Sequence, residues 1–339
     1  MKFPIAPPRA ALVCALDWGL GHVARTTPLV HALLATGTRV VLASNGRSAD
    51  WWRREFPDLE LRELPDYGIT YAKGWRLVPG LLASLPRVYK AVRAEHALVE
   101  GWVKSGRYDL VLSDNRYGCH ASGAKSVLLS HQLRLAAPGP LTRLEPLGER
   151  FLSRMARHFD ELWIPDNETL DDLSGKLGHP SRPGAFPRLR YVGPLSRFRD
   201  LPTPAWVDMW DTVALVSGPE PTRTAFEERL RQLLSDRKGR HLLVRGRPDL
   251  PLPTGEPAPS GLVETPHLPT AELATALRGA REIICRGGYS TVMDLCALDL
   301  LDQRCLFVPT PGQTEQEYLA GHLAASHGCR TVAEDLLGT

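Results

Sequence analysis

Two short stretches of this 339-residue chain hold side chains suited to chemistry. The first is Gly19-Leu20-Gly21-His22, directly after the apolar run Ala10–Leu16. Glycines allow a tight turn from strand to helix, and a helix start offers unbonded N–H groups and a positive dipole end. A histidine at such a turn faces the rim where ligands collect, and its titration range suits it to take a proton from a hydroxyl. A helix-capping or packing histidine fits His22 equally well from position alone. Asp17, the nearest carboxylate in the chain, is suited to orienting the imidazole or binding a substrate, and Asp17 and Asp114 are rival bases. Asp114 and Asn115 in Ser113–Tyr117, and His131 in Ser130-His131-Gln132, follow later strand-like runs and belong on the same rim. Each also reads as a solvated loop residue, but polar clusters at successive strand ends outline a site better than any one does. A nicotinamide fingerprint is disfavoured, because Ser44-Asn45 stand where a ribose-binding carboxylate would end the second strand.

The second stretch is Cys285-Arg286-Gly287-Gly288-Tyr289-Ser290-Thr291-Val292-Met293-Asp294, which packs a strand end, a glycine turn and a helix start into ten residues. Its backbone N–H groups, with the Ser290 and Thr291 hydroxyls and the Arg286 cation, suit a pyrophosphate. Asp294 falls one helical turn further, where a carboxylate can accept both hydroxyls of a ribose. An ordinary capped helix with an exposed aspartate is the alternative. Pro309–Glu317, with Gln313, Glu315 and Gln316, again joins a strand end to a helix start.

Alternating patterns must position these residues. Strands are predicted at 10–16, 39–44, 59–64, 108–112, 126–130 and 161–164, with helices at 22–35 and 48–56 between the early ones. The programme restarts after a proline-rich connector at 195–204, with strands at 212–216, 241–244, 282–285 and 305–308. Helices at 222–234, 270–278, 290–297 and 314–326 accompany them. Strand, helix and strand in succession imply parallel pairing with right-handed crossovers. The expectation is therefore an α/β protein with two Rossmann-like doubly wound domains, 1–198 and 199–339, facing a cleft that receives ligands at the carboxyl ends of the strands.

Composition is that of a globular protein, 43% hydrophobic and 23% charged. The net charge of +3 divides unevenly: 26 Lys and Arg against 19 Asp and Glu in residues 1–195, and 15 against 19 in 196–339. A basic first half suits an anionic partner, although a solvated surface explains it too. The basic residues form no dense stripe interleaved with aromatics, which disfavours nucleic acid. The six cysteines make no C-x-x-C pair and no zinc-ligand spacing, so no metal site is expected and reduced thiols in a cytoplasmic protein are. The first apolar run lacks the form of a signal peptide, and no apolar stretch reaches the roughly 18 residues that span a bilayer. Lys73–Arg93 mixes Trp75, Leu77, Val78, Leu81, Leu82 and Leu85 with five basic residues. It suits either an amphipathic helix packed on the first domain or contact with an anionic membrane surface.

GLGH at 19–22, CRGGYSTVMDL at 285–295 and LFVPTPGQTEQEYLA at 306–320 resemble the MurG-like glycosyltransferases of family 28, which have the GT-B fold. DWGLGHVARTTPL, LPDYGITY, SDNRYG, SHQL and YVGPLSRF are similar to a group of bacterial proteins predicted to be glycosyltransferases. The resemblance implies a UDP-sugar as substrate with no further cofactor, metal-independent inverting transfer, and an acceptor held mainly by the N-terminal domain. Lipid-linked hydroxyls belong to that acceptor class, with the protein cytoplasmic and peripheral on the inner face of the membrane. Asp294 falls where the family has a ribose-binding glutamate, and Gln316 at a donor-binding glutamine, with Gln313 and Glu315 beside it. Gly287, Gly288 and Ser290 fall in the phosphate turn, and His267-Leu268 in the loop whose backbone reads uracil. Ser217, Gly218 and Arg223 fall at the first turn of the donor domain, although SGPEPTR departs from the usual glycine-rich sequence. Gly19, Gly21, Asn115 and His131 are the acceptor-side candidates, with His22, Asp17 and Asp114 the catalytic ones. The N-terminal loop has one glycine fewer than the family's, so the family's acceptor does not carry over. A nucleotide-sugar epimerase or hydrolase, or a non-catalytic nucleotide-sugar binder, remains an alternative on the same fold.

Overall fold

The computed structural model describes residues 3–68, 77–137, 139–169, 172–182, 184–204, 207, 209–251 and 261–338, and the side chains of all but 77–85 and 140 among these. Apolar runs buried on both faces build its two sheets. The first half contains β1 (Ala10–Ala15), α1 (Gly21–Ala35), β2 (Arg39–Ser44), α2 (Gly46–Glu55), β3 (Leu61–Glu63), α3 (Leu77–Gly106) and β4 (Leu110–Asp114). It continues with β5 (Lys125–Leu129), α4 (Glu145–Ala156), β6 (Glu161–Ile164) and β7 (Leu189–Tyr191). Every residue of β1 and β4 is buried, the mark of a parallel strand covered on both sides. All pairings are parallel, in the order β3-β2-β1-β4-β5-β6-β7. The order reverses direction between β1 and β4, which opens a crevice at their carboxyl ends.

The second half repeats the plan with β8 (Trp210–Leu215), α5 (Thr222–Asp236), β9 (Arg240–Val244), β10 (Gly261–Thr265), α6 (Thr270–Arg278) and β11 (Ala280–Cys285). It closes with α7 (Tyr289–Ala297), β12 (Cys305–Phe307), α8 (Thr314–His327) and β13 (Arg330–Thr331). The order β10-β9-β8-β11-β12-β13 places the reversal between β8 and β11. The chain separates into compact units 1–195 and 196–339. Residues 196–198, expected in the first domain, belong to the second, because the Ser196 hydroxyl is bonded to Asp294 and Phe198 is buried.

Register fixes which helices share a face. Leu12 lies beside Val111, Ser113 beside Leu128, and Leu128 beside Leu162. Val99 and Val103 of α3 pack with Leu12, Cys14 and Val111, while Leu152 and Ala156 of α4 pack with Leu128 and Leu162. Both helices therefore cover the same side of the first sheet. α4 and β10 are absent from the sequence expectations. Of the expected membrane-contact stretch, residues 73–76 lie outside the described residues and 77–85 are described as helix only; Val88 and Ala91 beyond them pack inward with Leu16 and Tyr67.

A buried polar cluster fastens the carboxyl end of this sheet. Arg116 is 1% exposed and donates to Ala15 O (2.9 Å), to Pro65 O (3.1 Å), to the Asn45 side chain and to Glu95 of α3. The Tyr67 hydroxyl donates to the other Glu95 oxygen at 2.7 Å. Burial works against the Arg116 charge, and Glu95 outweighs it and holds the guanidinium protonated. Breaking such a pair leaves one charge buried alone, which costs about 3 kcal/mol or more. Glu95→Ala is expected to lower unfolding stability by about that amount, and an unchanged denaturant midpoint would contradict this account of the cluster.

Candidate active site

The β1/β4 crevice collects side chains from one face of α1 and from two strand ends. Gly19 takes φ +109°, a conformation closed to other residues without strain, and lets the chain turn from β1 into α1. His22, Arg25 and Thr26 then share one helix face, three and four residues apart. All three meet Asp114, the last residue of β4, which is wholly buried. Arg25 Nε donates to Asp114 Oδ2 at 2.6 Å, Arg25 Nη2 donates to Oδ1, and the Thr26 hydroxyl donates to Oδ2 at 3.0 Å. His22 Nδ1 lies 2.8 Å from Oδ1.

These contacts decide the state of each group. Burial alone would raise the Asp114 carboxyl, but the Arg25 charge and the hydrogen bonds from Arg25 and His22 overcome it and hold it well below the usual carboxylate range. An ionised carboxylate can only accept, so in the 2.8 Å contact His22 Nδ1 is the donor; Arg25 Nη2 stands 2.9 Å from the same nitrogen and gives its hydrogen to Asp114 Oδ1 instead. The other ring nitrogen, Nε2, is then the basic lone pair of neutral His22, whose side chain keeps 14% of its surface exposed. Arg25 Nη1 donates to His131 Nδ1 at 2.9 Å, so His131, beyond the end of β5, joins the same cluster. Asn115 adopts φ +53° at the same edge, its side-chain oxygen buried without a hydrogen-bond partner.

Asp17, suited by its chain position to orient the imidazole, to bind acceptor or to serve as a rival base, does not meet His22 among the hydrogen bonds of the described residues. Its Oδ1 accepts from Ser48 N at 3.0 Å in the first turn of α2. The orienting carboxylate is Asp114, because it stands on the strand next to β1 rather than on the same loop. Arg25 was missing from the expectations, although its place three residues after His22 carried the signal.

The β8/β11 crevice of the second unit collects a different set. Gly218 repeats φ +109° after β8, matching Gly19 after β1, and Ser217 and Gly218 are exposed. Gly287 and Gly288 form the turn from β11 into α7, whose first turn carries the half-buried Ser290 and Thr291. Gln316 in the first turn of α8 accepts from Thr310 N at 2.9 Å and donates to Gln313 Oε1 at 2.5 Å, holding the 310–313 loop in shape. Glu315 is half-buried beside it. After β10, the His267 carbonyl accepts from Thr265 at 2.8 Å and its ring Nδ1 is buried without a partner, while Leu268 is half-buried.

Two arginines expected to bind the donor, Arg286 at its diphosphate and Arg223 at the first turn, are committed to the interior. Arg286 is 1% exposed, pairs with Glu334 at 2.9 Å, donates to the carbonyls of Val308, Pro309 and Thr222, and lies over the Phe226 ring. Arg223 donates to Glu220, Glu227, Arg245 O and Thr224. Both guanidiniums knit strand ends to helices, so Arg286, expected at a diphosphate, and Arg223, expected among the donor contacts, have their hydrogen bonds taken by the protein itself.

Asp294 on α7 accepts from the Ser196 hydroxyl at 2.6 Å. Burial pushes its carboxyl up to about 6, against the opposing pull of Arg197 and Ser196. Among the described residues, no group of three His, Cys, Asp or Glu is arranged to hold a metal ion, and no helix is long and apolar enough to cross a membrane.

No family model and no curated protein matches the sequence. Solved structures do. MurG of Acinetobacter baumannii is 16% identical with a TM-score of 0.55, the match covering 97% of this chain and 87% of that one. The spinosyn rhamnosyltransferase SpnG, complexed with thymidine diphosphate, is 17% identical with a TM-score of 0.59, covering 95% and 86%. UGT89C1 of Arabidopsis thaliana, complexed with UDP-L-rhamnose, is 15% identical with a TM-score of 0.57, covering 97% and 87%. Identities this low mark a shared architecture, and that architecture is the GT-B fold of two parallel-sheet α/β domains.

The raised Asp294 carboxyl makes stability depend on pH in a definite sense. Its folded value lies above its value of 3.8 in the unfolded chain, so ionisation penalises the folded state increasingly from about pH 4 to 6, and fully above that. Asp294→Asn removes the ionisation while keeping an acceptor for Ser196. The variant is expected to gain on the order of 2 kcal/mol relative to the parent between pH 4 and pH 8. Parallel stability curves for the two proteins over that range would contradict it.

Proposed function

We propose that the chain is a glycosyltransferase that moves a sugar from a UDP-sugar to an acceptor hydroxyl, with inversion and without a metal. The observation that carries this reading is the His22–Asp114 pair: an imidazole whose Nδ1–H is locked on a buried carboxylate presents a basic Nε2 at the crevice of a GT-B unit. In the proposed step, Nε2 takes the proton of the acceptor hydroxyl. The acceptor oxygen bonds to the anomeric carbon as the carbon–oxygen bond to the diphosphate breaks, and UDP departs with that electron pair. Asp114 stabilises the imidazolium that forms, as a buried acceptor does in other histidine-based catalysis.

The donor is assigned to the second unit. Backbone N–H groups at Ser217-Gly218 and Gly287-Gly288, the Ser290 and Thr291 hydroxyls and the α7 N-terminus receive the diphosphate charge in this reading. Asp294 accepts from the ribose, Gln313, Glu315 and Gln316 face the sugar, and His267-Leu268 take the base. Support comes from the SpnG and UGT89C1 structures, which hold thymidine diphosphate and UDP-L-rhamnose in the same fold. The acceptor, with lipid-linked hydroxyls in its class, is assigned to the first unit around Gly19, Gly21, Asn115 and His131.

Turnover with a panel of UDP-sugars and acceptors, beside nucleotide binding by thermal shift, tests the reading. His22→Ala and Asp114→Asn are each expected to lower transfer roughly 10²- to 10⁴-fold, with UDP binding nearly unchanged. Normal turnover by the alanine variant would refute the base assignment. Consumption of a UDP-sugar with no acceptor present would instead identify an epimerase or hydrolase, and tight UDP binding without any turnover a non-catalytic binder.

A further inference from the structure

Three imidazoles stack in a row on the side of the first sheet that α3 and α4 share. The His120 ring lies 4.1 Å from His96 at 26° and 4.9 Å from His158 at 9°, centroid to centroid, and meets the Phe159 ring edge to face at 5.4 Å. His96 comes from α3, His120 from the connection between β4 and β5, and His158 from the connection between α4 and β6. The stack is a seam joining three segments that are distant in the chain. His96 Nδ1 donates to the His120 carbonyl at 3.1 Å and adds a hydrogen bond to the seam. Solvent reaches the rings, because they line an open cavity of about 510 Å³ with Glu100, Ser122 and Asp160. The two carboxylates of this cavity are turned to other donors. Glu100 accepts from Ser122 N at 3.0 Å and from Ser122 Oγ at 2.7 Å and pairs with Lys104 at 3.3 Å; Asp160 Oδ2 accepts from Ser126 N at 2.7 Å. Among the described residues neither forms an ion pair with a ring of the stack.

We propose that this stack is an acid-operated latch: as neutral rings it holds α3 to the two connections, and proton uptake in mildly acidic solution drives the rings apart. Flat neutral rings attract at these spacings. Two imidazoliums so close repel, and no carboxylate is placed between them to offset the charge. Burial, and after it the charges that His96 and His158 bring, push the His120 ring down to about 4, with Glu100 the smallest and opposing influence. Its folded value thus lies below the 6.5 of the unfolded chain. Across that window the unfolded chain holds the extra proton, so stability is lost as pH falls from about 6.5 to about 4. Asp294 acts with the opposite sign over part of the same range, so a comparison with a variant isolates the stack. The latch also adjoins the cluster that fastens the carboxyl end of the sheet. Glu95, the partner of Arg116, precedes His96 in α3, and it accepts from Gly118 N, two residues before His120. Gly118 leaves no room for a side chain against Val92 O and Glu95, so the connection lies directly on α3 there. Parting the rings therefore loosens the seat of Arg116, and with it the strand ends beneath the crevice. The latch does not depend on the reaction proposed for that crevice.

Denaturant unfolding of the full chain and of His120→Phe, across the window from about pH 7 to about pH 4, tests the proposal. Phenylalanine keeps a flat ring in the stack and takes up no proton. The parent's folding equilibrium is expected to fall on the order of 100-fold further than the variant's as the pH is lowered. Amide exchange of residues 92–99 and 116–122, corrected for its intrinsic pH dependence, should quicken toward the acid end in the parent and not in the variant. That result would place the change at this seam. Should His120→Phe not fold, His158→Gln carries the test, because that ring is exposed. In it the His120 ring, followed by NMR titration, should move up toward its ordinary 6.5. Parallel stability curves for parent and His120→Phe, exchange that quickens equally along the whole chain, or a His120 ring that titrates at its ordinary value in the parent would each overturn the proposal. None of these readouts uses a sugar nucleotide. A failure here would leave the proposed reaction untouched, and failure of that reaction would leave the latch standing.

Discussion

A carboxylate with no exposure to water survives as an anion only when its lone pairs are filled by charged or polar hydrogens, and Asp114 is filled almost entirely from one helix. Arg25, Thr26 and His22 converge on it from the first turns of α1. The ion pair fixes the rotation of α1 about its own axis, because turning the helix would leave a charge buried alone, a loss of several kcal/mol. The same constraint selects the tautomer of His22 and the direction in which its free nitrogen looks. Beneath it, the Arg116 cluster joins Ala15, Asn45, Pro65 and Glu95, so the ends of β1 and β2 and the helix covering them are set by a second buried charge pair.

The two units solve one geometric problem with different side chains. Each reverses its strand order once, and each enters the helix after its first strand through a glycine at φ +109°. The first unit fills the resulting crevice with titratable groups able to hold or move a proton. The second offers glycines, hydroxyls and one carboxylate whose ionisation is disfavoured, and keeps Arg223 and Arg286 in the interior. This division matches a reaction in which one partner must lose a proton and the other must leave as an anion.

The fold was largely legible in the sequence, because continuous apolar runs separated by glycine turns specify parallel strands. Gly19-Leu20-Gly21-His22 and the 285–294 stretch marked the strand ends correctly for the same reason. Side-chain partners were less legible. Asp17 is closer to His22 in the chain than Asp114, but neighbouring strands bring Asp114 nearer in space. Arg286 and Arg223 sit beside glycine turns, and nothing in their spacing reveals that carbonyls and carboxylates from distant segments claim them. α4 escaped notice because its polarity is reversed: Glu145 and Glu149 are buried, while Leu144, Leu147 and Phe151 are outside, so the usual apolar stripe would orient it backwards. β10 follows a proline-rich stretch that carries no strand pattern.

Arg286 also ties the turn before α7 to the far end of the chain. Its carboxylate partner, Glu334, lies in the short turn Glu334–Leu336, and Arg229 of α5 holds the same segment through the carbonyls of Asp335 and Leu337. Trimming the chain back to Ala333 would take away the counter-charge of a guanidinium that has 1% of its surface in contact with water. Residues 334–337 thus act as a peg that holds the Arg286 side chain.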